Sequence, residues 1–492
     1  MFNRDHIDKA LARMNLFGFK TKSGGEYEIL ALEDHLLEER RHQPEEEQDQ
    51  ATNSSKGVTQ HWANGLRGLA AFCVMIHHGI VAFNSEAVLD TNDPDGTVHF
   101  WQWPILRSFI SPSFLVTLFF VLSGYVLSYR PLHRISTNPS DSISVRNSLA
   151  SACLRRIVRL APPPLFSLIV SHTILLSGGF DQTRAAKVGT WWTIDHIPRF
   201  VTPNWHAQTV ECLKFMVNLW YDAGNKTQYN VVLWTMREEF LGSLNVFLVL
   251  LAISNLQLRF RVMLVIALGL VNLCHNEVAF LPFLLGILIA ELQVSQSQPT
   301  QPTFNRRNIL CGYLRSSAMG ATLIVGLFFG SVPWLEMTGA SWSRWMFQVM
   351  SRYSEDEFEV KQAYNIMGGC LTVLTISRWP AAQQFFSTRP LQFLGRISFS
   401  LYVIHAPLLL SVGVSLAWRF QTWGISDTLS TFLMVPFWVG CVIAFSWLMT
   451  KYLDEKAITF SHALERALGA KNTSDGSRHP ETSLLSTSTT DR

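Results

Sequence analysis

The sequence is short of charge. Only 16% of its 492 residues are Asp, Glu, Lys or Arg, where a soluble domain usually carries about a quarter. That shortfall argues against a water-soluble globular protein. Its seven cysteines (73, 153, 212, 274, 311, 370 and 441) include no C-x-x-C pair and no metal-ligand spacing, so neither a disulfide framework nor a metal site is implied. A formal net charge of +3 is too small to mark a nucleic-acid binder. Residues 1–60 hold no apolar signal-peptide core. They are polar and charged, with runs such as Leu37-Glu38-Glu39-Arg40-Arg41, and are expected to be a cytoplasmic leader, disordered in part. From Lys471 the chain is rich in Ser and Thr, and residues 466–492 are expected to form a disordered cytoplasmic tail.

What the sequence does have is grease: 48% hydrophobic residues, with 33 Phe and 16 Trp. Apolar runs of about 20 residues fall near 65–84, 109–129, 157–178, 229–253, 260–275, 278–294, 317–335, 364–379, 397–418 and 428–450. The expected fold is all-α, a polytopic membrane protein with a bundle of about ten transmembrane helices over residues 61–465. Gly320, Gly326 and Gly330 in the seventh run suit close helix packing.

Basic residues in short loops set the orientation. Arg130, Arg134, Arg146, Arg155, Arg156 and Arg159 crowd the segment between the second and third runs, opposed only by Asp141. That segment is expected to face the cytoplasm. Alternation then puts Arg259 and Arg261, Arg306 and Arg307, and Arg378, Arg389 and Arg396 on the same side, with both termini. The loop 179–228 falls on the other face, with a glycosylation acceptor at Asn225-Lys226-Thr227.

Ionisable groups within a membrane are costly and usually mark a ligand or proton path. The first run holds Arg67 and His78, eleven residues apart. Three helical turns separate them, which leaves them within about 20° of one another around the axis. His77 lies about 100° away. The fourth run holds Glu239 at a similar expected depth, so Glu239 and His78 are expected to meet, the carboxylate orienting the imidazole. Arg156 and Arg159 share a helix face just before Pro162-Pro163-Pro164. With Arg155 they form a group suited to phosphate, and anionic lipid headgroups would satisfy it just as well. The bland readings are a His that only packs, an Arg67 that snorkels to the headgroups and arginines that only set topology.

Five segments together resemble the acyltransferase 3 family, membrane-embedded O-acyltransferases. They are Arg67-Gly68-Leu69-Ala70-Ala71 with His77-His78, Phe119-Phe120-Val121-Leu122-Ser123-Gly124-Tyr125, and Arg155-Arg156-Ile157-Val158-Arg159 with Pro162. The fourth is Leu233-Trp234-Thr235 with Glu239-Phe240, and the fifth Gly395-Arg396-Ile397-Ser398-Phe399-Ser400-Leu401-Tyr402-Val403-Ile404-His405. The resemblance spans about residues 60–465 and looks most like fungal members. Arg237-Glu238 departs from it, standing where members usually carry uncharged residues.

The resemblance implies transfer of an acyl group, expected to be acetyl, from cytoplasmic acyl-CoA to a hydroxyl of a sugar, lipid or small molecule. Acyl-CoA would be a co-substrate, and no permanent cofactor is expected. His78 would be the base or an acyl relay, Glu239 its orienting partner, and Arg67 part of the catalytic set. Arg155, Arg156 and Arg159 would hold the donor. His405, Tyr402 and Ser400 are expected to hold helices together. Two competing readings use the same residues: a proton-coupled transporter or flippase, and a family member without catalysis.

Overall fold

The computed structural model describes residues 61–468 apart from 92–97, 139–141, 187–188, 203, 221–228, 276 and 297–305. The expected leader, most of the tail and Asn225 lie outside the described residues. Within them the regular structure is helical.

All ten apolar runs fall on helices. Helix α1 covers residues 61–81. It is followed by α2 (Pro112–Thr137), α3 (Ser142–Leu160), α4 (Pro162–Leu176), α5 (Trp191–His196), α6 (Trp205–Asn218), α7 (Trp234–Ile253), α8 (Leu258–Cys274), α9 (Leu281–Gln296), α10 (Arg306–Phe329), α11 (Ser341–Met350), α12 (Glu357–Arg378), α13 (Arg389–Leu408), α14 (Val414–Thr422), α15 (Asp427–Met449) and α16 (Glu455–Ala467). Five stretches are long and apolar enough to cross a membrane: Pro112–Thr137, Ile143–Leu176, Val278–Gln296, Arg389–Thr422 and Asp427–Ala467. Most of the other expected spans are diluted by ionisable residues: α1 by Arg67, α7 by Arg237-Glu238-Glu239, and α12 by Glu357, Glu359 and Lys361. The architecture is that of a polytopic membrane bundle.

Breaks in the helices have local causes. Pro162 opens α4 directly after α3 ends at Leu160, a position where its missing N–H costs nothing. Helix α13 gives way to a π-helical turn, Leu409–Gly413, just beyond Pro407.

Two close helix crossings order the bundle. In the first, α1 lies against α13. A methyl group at Gly68 would come within 2.3 Å of the Gly395 nitrogen, and one at Gly395 within 2.4 Å of the Asn64 carbonyl. Only glycine permits that approach. In the second, Gly124 of α2 meets the Phe283 carbonyl and Gly286 of α9 meets the Val121 carbonyl, each closer than a β-carbon allows. Of the three glycines in α10, Gly326 and Gly330 pack tightly, against Gly368 and Phe114, while Gly320 has room.

The loop after α4 folds back over the end of α1. Thr190 donates from N and Oγ1 to the Ala82 and Val81 carbonyls, and Thr193 Oγ1 donates to Ala82. These bonds satisfy two of the terminal carbonyls of α1 and hold α5 above the histidine pair.

Candidate active site

The α1–α13 crossing positions the first group of polar side chains. Arg67 Nε donates to Ser398 Oγ at 3.1 Å, and one terminal nitrogen reaches Asn64 Oδ1 at 3.3 Å and the Gly395 carbonyl at 3.4 Å. Further along the same helices, His405 Nε2 lies 3.0 Å from His78 Nδ1. Arg67 pairs with Ser398 and His78 with His405, so the two helices run parallel. Ser398 and His405 are seven residues apart, two turns, and share one face of α13 as Arg67 and His78 share one face of α1.

Hydrogen bonding assigns the ring protons. His405 Nδ1 faces the Leu401 carbonyl at 3.1 Å, and a carbonyl only accepts, so this nitrogen carries the proton. With both rings neutral, His405 Nε2 has a lone pair and accepts from His78 Nδ1–H. The Val74 carbonyl, 3.0 Å from the same His78 nitrogen, calls for a proton there as well. His78 Nε2 therefore keeps its lone pair. His405 is fully buried and His78 half-buried. Trp192 of α5 packs on His78 with ring centroids 5.3 Å apart, and His196 stacks on Trp192 at 4.7 Å.

His77 faces elsewhere. It is buried, and its Nδ1 binds the Ile110 carbonyl at 2.7 Å. That bond ties α1 to the segment entering α2.

The second group lies at Glu239. Its Oε1 accepts from Arg156 and, at 2.6 Å, from Ser123 Oγ, while Arg156 Nε donates to Ser243 Oγ at 3.1 Å. The expected contact between Glu239 and His78 is not made: the carboxylate is held on the α2–α3 side of α7, and His78 faces α13 and α5. His405 stands where Glu239 was expected.

The three arginines of α3 diverge. Arg155 pairs with Glu465 of α16 at 2.7 Å, Arg156 with Glu239, and Arg159 approaches Asp454 at 3.5 Å while staying 48% exposed. Arg67 lies within electrostatic reach of Arg156, Arg159, Glu239 and Asp454. Arg67, Arg156 and Arg159 thus form one neighbourhood with two carboxylates, and Arg155 is held apart by α16. The Glu465 carboxyl, on α16 past the last apolar run (428–450), is held below the usual carboxylate range by hydrogen bonds from Ser151 and Arg155.

The remaining motif residues brace the centre. Thr235 Oγ1 and Tyr402 Oη are 3.1 Å apart, and Asn230 Nδ2 donates to the Val403 carbonyl at 2.7 Å. Both join the start of α7 to α13. Ser400 Oγ accepts from Thr450 Oγ1 at 3.2 Å. Arg237 is paired with its neighbour Glu238 at 2.6 Å. Among the described residues no group of His, Cys, Asp and Glu is arranged to hold a metal ion.

The five sequence segments thus converge on one polar centre in an apolar bundle, and residues 60–451 match a family described as an acyltransferase domain, acyltransferase 3. The chain belongs to the acyltransferase 3 family. Similar proteins include the O-acetyltransferase PaAT-1 of Phomopsis amygdali, 27% identical over 423 residues, which cover 80% of this chain and 80% of that one. Acyltransferase R4 of a Phoma species is 26% identical over 369 residues, 69% of this chain and 77% of its own. Acyltransferase clz18 of Cochliobolus lunatus is 24% identical over 408 residues, 74% and 85%. No solved structure matches. This acyltransferase 3 protein is a membrane acyltransferase, which requires an acyl donor and an acceptor.

Proposed function

We propose that the protein transfers an acyl group, acetyl in the first instance, from cytoplasmic acyl-CoA to an acceptor hydroxyl, with His78 as general base. The observation that carries this reading is the 3.0 Å contact between His405 Nε2 and His78 Nδ1. It supports a tautomer of His78 whose Nε2 is free to take a proton.

In this reading His78 Nε2 removes the acceptor O–H proton as the oxygen attacks the thioester carbonyl. The C–O bond forms, the C–S bond breaks, and the proton passes from His78 to the departing thiolate. His405 is a positioning residue: it fixes the ring of His78, and its lone pair strengthens its hold on the transient imidazolium through a charge-assisted hydrogen bond. Arg67, Arg156 and Arg159 bind the anionic donor, with Arg159 the most accessible. Glu239 and Ser123 aim Arg156. Arg155 is assigned to docking α16. Domain limits of 61–465, both termini on the cytoplasmic face and the arginine cluster on the donor side complete the proposal.

Three measurements test it. His78→Ala in full-length protein is expected to insert and express normally and to lose transfer; full activity in that variant overturns the assignment. Tags at each end should be reached only after permeabilisation. Proton-coupled uptake by vesicles holding the protein, without acylated product, would favour the transporter reading instead.

A further inference from the structure

At the end of the bundle where α2, α7, α9 and α12 begin, a pocket of about 320 Å³ opens between them, lined in part by Phe120, Trp234, Glu238, Trp334, Lys361 and Asn365. Neither His78 nor His405 lines it. It shares Val278, Gln362 and Ile366 with a second, almost wholly apolar groove of about 460 Å³, walled by residues such as Leu285, Met367 and Leu371. The two adjoin across these shared residues, one with a polar head and the other greasy.

The polar head has an unusual balance. Its cations are already engaged. Arg107 donates to the Val88 and Asp90 carbonyls. Lys361 binds the Trp334 and Leu335 carbonyls and Glu357. Two acceptors are left over. Asn365 is 5% exposed with its Oδ1 unpartnered, and Glu238 Oε2 is buried and unpartnered although its other oxygen holds Arg237. An unpaired buried acceptor is costly, so each of these two oxygens calls for a donor. A phosphate head would add acceptors and find no free cation. A quaternary ammonium would bring no N–H.

We propose that the pocket and the adjoining groove bind a neutral, hydroxyl-bearing amphiphile. Its hydroxyls donate to Glu238 Oε2 and Asn365 Oδ1, and its chain lies along the groove between α9 and α12. Two sources share this chemistry, a neutral bilayer lipid and the acyl acceptor itself.

The test uses full-length protein in nanodiscs and a monoacylglycerol with a photoreactive group in its chain. Cross-links are expected to concentrate in segment 359–371, at least fivefold above those from the same probe with both hydroxyls methylated. Asn365→Leu should reduce labelling to the methylated level. Equal labelling by the two probes, or labelling spread evenly over the apolar surface, overturns the proposal; the probe comparison needs no variant and so survives a misfolded one. Molecules extracted with the protein after addition of acetyl-CoA separate the sources: a bound amphiphile that gains the acyl mass is the acceptor, and one left unchanged is a lipid. His78→Ala should keep the labelling, so failure of the transfer reading and failure of this one are told apart.

Discussion

His405 and His78 are joined nitrogen to nitrogen at 3.0 Å across two parallel helices, with no carboxylate between them. A base oriented by a second imidazole keeps its environment neutral until it takes a proton. A carboxylate partner would add charge in a low-dielectric setting, which is costly to desolvate.

His405→Gln should lower kcat by about 10²–10³, within the range of general-base contributions, with KM values little changed. Its pH–rate profile should also move, because the partner that stabilises the imidazolium is gone. A purely structural role for His405 would lower the amount of folded protein and leave the profile in place. Steady-state kinetics from pH 5 to 9 on purified protein decides this.

Arg156→Ala/Arg159→Ala should raise the KM for the acyl donor by at least about tenfold, since a hydrogen bond to a charged group contributes about 1.5–3 kcal/mol. The acceptor KM should stay within about twofold, the change expected where a contact is not shared. Donor titration in both variants provides the measurement. Arg155→Ala is expected to leave the donor KM unchanged, because Arg155 is held by Glu465.

Gly395→Ala places a methyl 2.4 Å from the Asn64 carbonyl. The neighbour is backbone, so the helices must separate. Overpacking of this kind costs about 1–3 kcal/mol, and a lower thermal midpoint with loss of transfer is expected. Gly320→Ala would meet only the Trp379 ring, at an ordinary contact distance of 3.8 Å, and should change neither.

The contact of α16 with α3 should depend on pH in one direction. Ser151 and Arg155 lower the folded pKa of Glu465, so the carboxylate contributes stability above its ordinary range and loses it as pH falls through the lowered value. Protection of α16 from limited proteolysis should therefore hold at neutral pH and fade on strong acidification. Glu465→Gln should weaken it at neutral pH as well.

Hydropathy made the span positions readable, because every apolar run of sufficient length had to bury its backbone in a helix. The Arg67/His78 stripe was readable for a similar reason: helical spacing fixes which side chains share a face. The partner of His78 was not. Depth from the membrane surface brought Glu239 and His78 to similar levels, but depth says nothing about which way a helix faces. Glu239 faces α2 and α3, where Ser123 and Arg156 hold it. His405 was open to the eye through its seven-residue spacing from Ser398, yet that clue becomes useful only once Gly68 and Gly395 are known to touch. The arginines of α3 were found as a group, but consecutive helical positions point about 100° apart, and each met a different carboxylate.

The glycine contact between α1 and α13 would be the fulcrum of any rocking of α1. Arg67 sits beside it, while His78 is ten residues further along, about 15 Å from the pivot. A rocking of α1 by about 10° would barely disturb Arg67 but would swing His78 by about 2.5 Å, enough to part it from His405. A donor engaged at the short arm could thus govern whether the long arm is assembled.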